Sequence, residues 1–144
     1  MTTPIESRTL LFSIKPKWAD AIISGDKTFE LRRRAPKLTL PVSAIIYATA
    51  PVCALVASCT MGPVVSGPPV KIWNRVSSSS SVTRTEFDDY FFRCQEAYAI
   101  VIASPRRLEK PLSLRYLRDT IQFSVPQAWA WASEDIIAVA GLNA

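Results

Sequence analysis

Prolines divide the first half of the chain into short apolar runs, and this division restricts the fold more than any other feature of the sequence. Because proline cannot donate a hydrogen bond to a sheet, it marks the ends of strands and the connections between them. Residues 43–50 and 53–65 are two such runs, and the second is bent or broken near Gly62. Consecutive strands with short connections favour a strongly curved, largely antiparallel sheet or small barrel over a doubly wound α/β fold. The prolines of this region are Pro36, Pro41, Pro51 and Pro63.

A strand, a short helix and a glycine turn are predicted before the first of these prolines. Residues 9–14 form an apolar run typical of a buried strand, and Pro16 suits the first position of a helix, where its missing N–H would be unpaired anyway. Trp18 and Ile22 recur at helical spacing, and Gly25 is expected to end the helix.

Two further helices and a serine-rich loop are predicted in the middle of the chain. Residues 67–76 are expected to form a short helix, and the serine run 77–81 lies in a flexible surface loop at 76–84 that buries nothing. Thr85 can cap the next helix together with Asp88. An aromatic stripe at helical spacing predicts the core-facing surface of that helix. Its members are Phe87, Tyr90, Phe91 and Cys94.

The last third of the chain predicts one strand and two helical segments. Residues 97–104 have the composition of a buried strand, and residues 105–110 are expected to form a basic exit loop. Residues 111–119 predict a helix with Leu117 facing inward, and residues 125–135 predict a final helical turn that starts at a proline.

The length and composition indicate one globular domain, which we assign to residues 1–144. Its apolar stretches are much shorter than the ~20 residues that a membrane helix needs. The N-terminus also lacks the pattern of a secretory signal. We therefore expect a cytoplasmic protein without membrane contact.

Several chemistries are excluded by the residues that the sequence lacks. Without histidine there is no Ser-His or Cys-His pair, no His general base and no His metal ligand. The three cysteines form no C-x-x-C motif, and the four glycines form no phosphate-binding loop. We therefore predict no metal site and no cofactor, and we expect reduced cysteines.

The positive charge of the chain is concentrated in one short segment. The net charge is +5, and residues 15–37 carry seven basic and three acidic residues. Such a concentration is typical of a protein that binds an anionic partner such as a nucleic acid or a nucleotide. The alternative is a basic face that serves solubility alone.

The segment 27–34 alternates with the period of a strand and separates its charges between two faces. Phe29 and Leu31 share one face with Lys27 and Arg33. The other face carries Thr28, Glu30, Arg32 and Arg34. Because Lys27 and Glu30 differ in parity, they can converge only if Lys27 lies in the preceding turn, outside the regular ladder.

The N-terminal block resembles the signature of the ASCH domain family, whose pattern is a strand ending in S-I-[KR]-P, a short helix and then S-G-x-K-x-x-E-x-R-[RK]. Later segments at 45–51, 86–102, 111–118 and 125–129 resemble a bacterial and phage single-domain branch of the family, so the likeness covers nearly the whole chain. The resemblance implies an α+β, PUA-like fold: a small mixed β-barrel of about five or six strands flanked by short helices. The matching residues of the first block are Ser13, Ile14, Lys15, Pro16, Ser24, Gly25, Lys27, Glu30, Arg32 and Arg33.

The resemblance also implies a function in RNA binding or RNA processing, including ribonuclease activity. One branch of the family hydrolyses N4-acetylcytidine with a Lys in this turn, a Thr three residues later and a distant Glu. Here Lys27 matches the lysine, but Glu30 occupies the position of the threonine, and only Thr28 is nearby. The amidohydrolase is therefore an alternative that the sequence disfavours, and a non-catalytic regulator that binds nucleic acid is a second alternative.

Lys27 and Glu30 are the candidate catalytic residues. Glu30 or a lysine of depressed pKa can act as a base on a 2′-hydroxyl, while Lys15 and Arg32 contact phosphate oxygens. This chemistry needs no histidine and no metal. The alternative is an ordinary surface ion pair between Glu30 and Arg32.

Four further residues are candidate contacts for RNA or a nucleotide. Trp18 can stack on a base or belong to the core, and Tyr47 can equally line the site or fill the core. Gln127 can supply hydrogen bonds, and Arg33 belongs to the matched signature although its parity indicates a partly structural role.

Overall fold

The computed structural model describes residues 8–142, and the ends of the predicted domain, residues 1–7 and 143–144, lie outside the described residues. Helices and strands are mixed along the chain. In chain order they are β1 (Thr9–Ile14), α1 (Pro16–Ser24), β2 (Phe29–Arg32), β3 (Val42–Ala48), β4 (Ala54–Gly67), α2 (Pro69–Val76), α3 (Arg84–Tyr90), β5 (Ala97–Ser113), α4 (Leu114–Thr120), β6 (Trp129–Trp131) and α5 (Glu134–Val139).

The described strands form one mixed sheet of six strands in the order β2-β5-β4-β3-β1-β6. All neighbouring pairs are antiparallel except β1 and β3, which are parallel because α1 and β2 lie between them in the chain. The sheet curls into a half-barrel with short helices around it. The predicted α+β fold, with its curved and largely antiparallel sheet, is confirmed.

Alternate residues of the central strands point to opposite faces of the sheet and fill two separate cores. Leu10 and Phe12 of β1 pack with Ile22 of α1 in the first core. Leu11, which lies between them, packs with Leu117 of α4 in the second core. The helix α1 is therefore fixed on one face of the sheet, beside the C-terminal end of β1.

A third core joins α2 and α3 to the sheet. Phe87 of α3 and Phe91, the residue that follows α3, are buried with Ile72 of α2 and Leu31 of β2. The predicted aromatic stripe thus faces the core, with Tyr90 and Cys94 partly buried beside it. This packing places α3 next to β2, the strand that carries the matched signature.

The predicted start and end of α1 are confirmed. Pro16 occupies the first turn, and Gly25 ends the helix with a left-handed φ of 88°, its N–H bonding the carbonyl oxygen of Ile22. Glycine adopts this backbone conformation without the steric cost that a Cβ atom brings. The turn therefore reverses the chain immediately before Lys27.

The predicted bend of β4 is also confirmed. The pairing of β4 with β5 shifts register between Met61 and Val64. Gly62 has a φ of 111°, and a Cβ atom there would lie 2.8 Å from the carbonyl oxygen of Leu40. No larger side chain fits at this position without displacing backbone.

The predicted cap of α3 was wrong by two residues. The N-cap is Thr83, whose hydroxyl accepts a hydrogen bond from the N–H of Glu86, while the Glu86 carboxylate accepts one from the N–H of Thr83. The capping box requires Glu or Gln three residues after the cap, which Glu86 supplies for Thr83 and Asp88 does not supply for Thr85.

Two expectations for the last third of the chain were also wrong. Residues 105–110 form no exit loop, because β5 continues to Ser113 and pairs Arg106 and Arg107 with β4. The segment 125–135 contains a strand, since β6 pairs with β1 before α5 begins. In both cases the pairing with a neighbouring strand outweighs the local proline signal.

The serine run contributes to the interior, contrary to the expectation that it buries nothing. Ser80 is fully buried, and the carbonyl oxygen of Ser79 accepts hydrogen bonds from the N–H groups of Thr28 and Phe29. The loop between α2 and α3 is thereby attached to the start of β2. That this loop is flexible stays a prediction.

Candidate functional site

A cleft of about 550 Å³ opens beside α1, at the edge of the first core. One wall comes from the end of β1 and the first turn of α1, and the floor comes from β2 and Lys27, which lies two residues before it. Helix α3 and the preceding Val82 supply a further wall, and Thr49 and Gln127 complete the lining. The predicted catalytic pair, Lys27 and Glu30, lies in this cleft.

Lys27 reaches the cleft from the turn that follows α1, outside the ladder of β2. Its backbone N–H bonds the carbonyl oxygen of Ala21, which fixes the turn. The Lys27 Nζ atom lies 3.8 Å from a carboxylate oxygen of Glu30 and donates to the carbonyl oxygen of Ser80. The side chain is only 2% exposed. Lys27 therefore lies in the turn before β2, the position that the sequence required for it to meet Glu30.

Glu30 and Arg32 form the second part of the cluster. The Arg32 Nη2 atom lies 2.9 Å from Glu30 and donates to the carbonyl oxygen of Ser13 at 2.8 Å, and Nε also donates to Glu30. The guanidinium carbon lies 5.0 Å from the centre of the Phe12 ring. No hydrogen bond joins Nη1 to another residue in the described part of the chain, so this end of the guanidinium can donate to a ligand.

Burial lowers the pKa of Lys27 below its ordinary value of 10.5, because desolvation outweighs the attraction of Glu30. The positive charge of Arg32 acts in the same direction. A lysine amine that loses its proton more readily is suited to act as a base.

An ion pair joins α1 to Glu86, a residue of α3 that lines the cleft. Lys17 Nζ lies 3.2 Å from Glu86 and 4.4 Å from the centre of the Trp18 ring, and Lys27 Nζ lies 4.9 Å from the same ring. The N–H of Thr83 and the ammonium of Lys17 lower the pKa of Glu86. Trp18 packs against the first core and also lines the cleft. That its ring stacks on a base stays a prediction.

Ser13 connects the guanidinium of Arg32 to the segment that carries Gln127. The carbonyl oxygen of Ser13 accepts a hydrogen bond from Arg32. The Ser13 N–H donates to the carbonyl oxygen of Ala128 at 3.0 Å, and the Ser13 hydroxyl donates to the carbonyl oxygen of Pro126 at 2.6 Å. Gln127 is exposed and lines the cleft, as does the exposed Lys15 at the start of α1. These two predicted contacts are therefore placed together with the cluster.

Tyr47 and Arg33 do not line the cleft. Tyr47 is 2% exposed and packs in the second core, with its ring centre 5.9 Å from that of Phe123. Burial and the neighbouring Cys53 raise its pKa to about 12, so its phenol stays protonated. Arg33 lies outside the cleft on Tyr90, 4.2 Å from the ring centre, and donates to the carbonyl oxygen of that residue. Tyr47 faces the second core, and Arg33 lies one residue beyond the end of β2.

Nine of the fifteen residues that line the cleft were not predicted as site residues, and several of them come from α3 and the end of β3. Glu86, Asp89 and Tyr90 come from α3, and Thr49 follows β3. The sequence places α3 correctly as a helix with an aromatic core face, but the position of that helix relative to α1 depends on the third core. No local pattern marks its remaining side chains as part of a site.

The cysteines are free, as expected. Cys59 is buried in the first core, and burial together with the charge of Glu30 raises its pKa to about 12. Residues 8–142 contain no group of three or more His, Cys, Asp or Glu side chains that could hold a metal ion. Among the helices of the described range, none is long and apolar enough to cross a membrane.

The curled six-stranded sheet with its short helices matches solved structures of ASCH domains. The chain is 29% identical over 136 residues to the ASCH domain-containing ribonuclease of Zymomonas mobilis, covering 94% of this chain and 91% of the relative. The crystal structure of ASCH from Zymomonas mobilis superposes with a TM-score of 0.81 at 29% identity over 88% of this chain and 89% of that chain. The predicted resemblance to the ASCH domain family is therefore confirmed in sequence and in fold.

More distant structures share the fold alone. The N-terminal domain of Staphylothermus marinus McrB superposes with a TM-score of 0.60 at 12% identity, over 94% of this chain and 93% of that chain. No family model matches the chain.

Proposed function

We propose that this protein binds RNA in the cleft and cleaves it without a metal ion. The observation that carries the proposal is the buried cluster of Lys27, Glu30 and Arg32 at the floor of an open cleft. A surface ion pair would be exposed, whereas these side chains are 2%, 8% and 16% exposed. The similarity to a relative named a ribonuclease supports the same activity.

In the proposed reaction Lys27 is the base. Its neutral amine removes the proton from a 2′-hydroxyl, and the 2′-oxygen attacks the adjacent phosphorus. The bond from phosphorus to the 5′-oxygen breaks, and that oxygen takes a proton from the Lys27 ammonium. The products are a 2′,3′-cyclic phosphate and a 5′-hydroxyl.

The cations of the cleft stabilise the transition state in this mechanism. Arg32 is oriented by Glu30 and by the carbonyl oxygen of Ser13, so its Nη1 donors are preorganised for a phosphate oxygen. Lys15 is exposed at the start of α1 and contacts the neighbouring phosphate. Glu30 orients Arg32 and holds the Lys27 ammonium.

Replacing Lys27 tests the proposal directly. Lys27→Met keeps the volume and apolar stem of the side chain but removes the base, so RNA cleavage should fall by 10²-fold or more. The assay is single-turnover cleavage of a short labelled RNA, with identification of both new ends. The matched control is Lys71→Met, which removes an exposed lysine on α2, outside the cleft.

Two outcomes would contradict the proposal. The first is Lys27→Met cleaving RNA at the wild-type rate, and the second is cleavage that leaves a 3′-hydroxyl. Circular dichroism and thermal melting of each variant separate a lost base from a lost fold.

The amidohydrolase alternative has less support in the cleft geometry. The carboxylate of Glu30 occupies the position where that branch has its threonine, and the Thr28 hydroxyl lies 3.4 Å from the carbonyl oxygen of Ser79, in an exposed position that does not line the cleft. Incubating the protein with N4-acetylcytidine and following the absorbance of this nucleoside tests the alternative, because hydrolysis changes the absorbance. A non-catalytic regulator would instead show salt-dependent RNA binding without turnover.

A further inference from the structure

The acidic side chains of the cleft differ in whether a cation neutralises them. Glu30 is paired with Arg32 and Lys27, and Glu86 is paired with Lys17. Asp89 lines the same cleft and is exposed. Within residues 8–142 its carboxylate forms no hydrogen bond or ion pair. Asp89 therefore offers a ligand two free acceptor oxygens.

A free carboxylate is unfavourable next to a phosphate group, because two unit charges 4 Å apart repel by ~1 kcal/mol in water and more where water is excluded. The cations of the cleft come from α1, β2 and the turn between them, whereas Asp89 comes from α3. The part of an RNA chain that contacts α3 is thus expected to present hydrogen-bond donors. In a nucleotide those donors are the ribose 2′-hydroxyl and the N–H groups of the base, and only a base can offer two donors side by side.

We propose, building on the RNA-cleavage function above, that Asp89 selects guanine by accepting two hydrogen bonds from its base edge. Guanine presents N1–H and N2–H side by side, which matches the two oxygens of one carboxylate. Adenine and cytosine present one amino group beside a ring nitrogen acceptor, and uracil presents one N–H between two carbonyls. Those acceptors face a carboxylate oxygen and repel it.

Packing and capping fix the helix that carries Asp89. Phe87 and Phe91 flank Asp89 in sequence and are buried in the third core, with their ring centres 4.7 Å apart. The capping box holds the start of the helix, and Arg33 covers the ring of Tyr90 at its end. The Asp89 carboxylate is therefore presented to the cleft from a helix that the third core holds in place.

The experiment compares four short RNAs that differ only in whether one position is G, A, C or U in an otherwise all-uridine sequence. Replacing every 2′-hydroxyl of these RNAs by 2′-fluoro removes the nucleophile at each linkage, so binding can be measured without turnover. Wild-type protein should bind the RNA with G roughly tenfold to a hundredfold more tightly than the others. Asp89→Asn should lose this preference, because an amide offers one acceptor and one donor.

The control is Asp88→Asn, one residue away on α3. Asp88 pairs with Arg84 on the surface and does not line the cleft, so this variant should keep the preference for G. Three results would each overturn the proposal. The wild type could bind all four RNAs equally, Asp89→Asn could lose the same affinity for all four, or Asp88→Asn could lose the preference for G. A wild-type protein that binds none of the RNAs would overturn the RNA function itself.

Discussion

Lys27 and Glu30 show how far individual side chains can be assigned from the sequence. The motif and the strand parity predicted that the two converge only with Lys27 in the turn, and the turn fixed by Ala21 provides that position. Their burial was not predictable. It depends on the serine loop, since the Ser80 carbonyl that accepts from Lys27 is 53 residues away in sequence.

The buried Lys27 makes stability depend on pH in a defined direction. Its folded-state pKa is below 10.5, so between that lowered value and 10.5 the unfolded chain binds more protons than the folded chain. The free energy of unfolding of the wild type, relative to Lys27→Met, should therefore increase as pH rises through this window. Urea unfolding of both proteins at a series of pH values measures this difference.

The opposite pH dependence of the difference between wild type and Lys27→Met would contradict the structure. A difference that decreases as pH rises towards 10.5 would mean that the ion pair with Glu30 outweighs desolvation. The wild-type lysine would then be a fixed cation and a poor base.

At the scale of helices and strands, the sequence predicted elements better than their ends. The pattern T-x-x-E at 83–86 is a full capping box, and T-x-x-D at 85–88 has the same spacing, so spacing alone does not distinguish the two caps. The alternating Trp129 and Trp131 carry a strand period, which the preceding proline obscured. The pairing with β1 decides between a strand and a helical turn for this segment, and β1 is distant in sequence.

The capping box of α3 gives a test at this scale. Thr83→Ala removes the hydroxyl that accepts from Glu86 N–H and should lower the free energy of unfolding by ~1 kcal/mol. Thr85→Ala, two residues later, removes an exposed hydroxyl without such a bond and should change stability by less than about 0.5 kcal/mol. Urea unfolding of both variants distinguishes them, and equal losses would contradict the assigned cap.

For the whole molecule, the sequence predicted a basic segment, and the structure shows a cleft with more than one kind of charge. The predicted cations Lys15, Lys27 and Arg32 come together, but α3 adds Glu86 and Asp89 from about 60 residues further along the chain. Local charge counting cannot find such a combination, because the third core determines where α3 lies. The basic segment alone indicates an anionic ligand, whereas the acidic wall adds the element of base selection that we propose.

The pH dependence of RNA cleavage tests the central claim most directly. If Lys27 is the base, the single-turnover rate should rise with pH through a pKa below 10.5, and NMR titration of the Lys27 side chain should give the same pKa. A rate that does not depend on pH in this range, or that follows a pKa different from that of Lys27, would contradict the account.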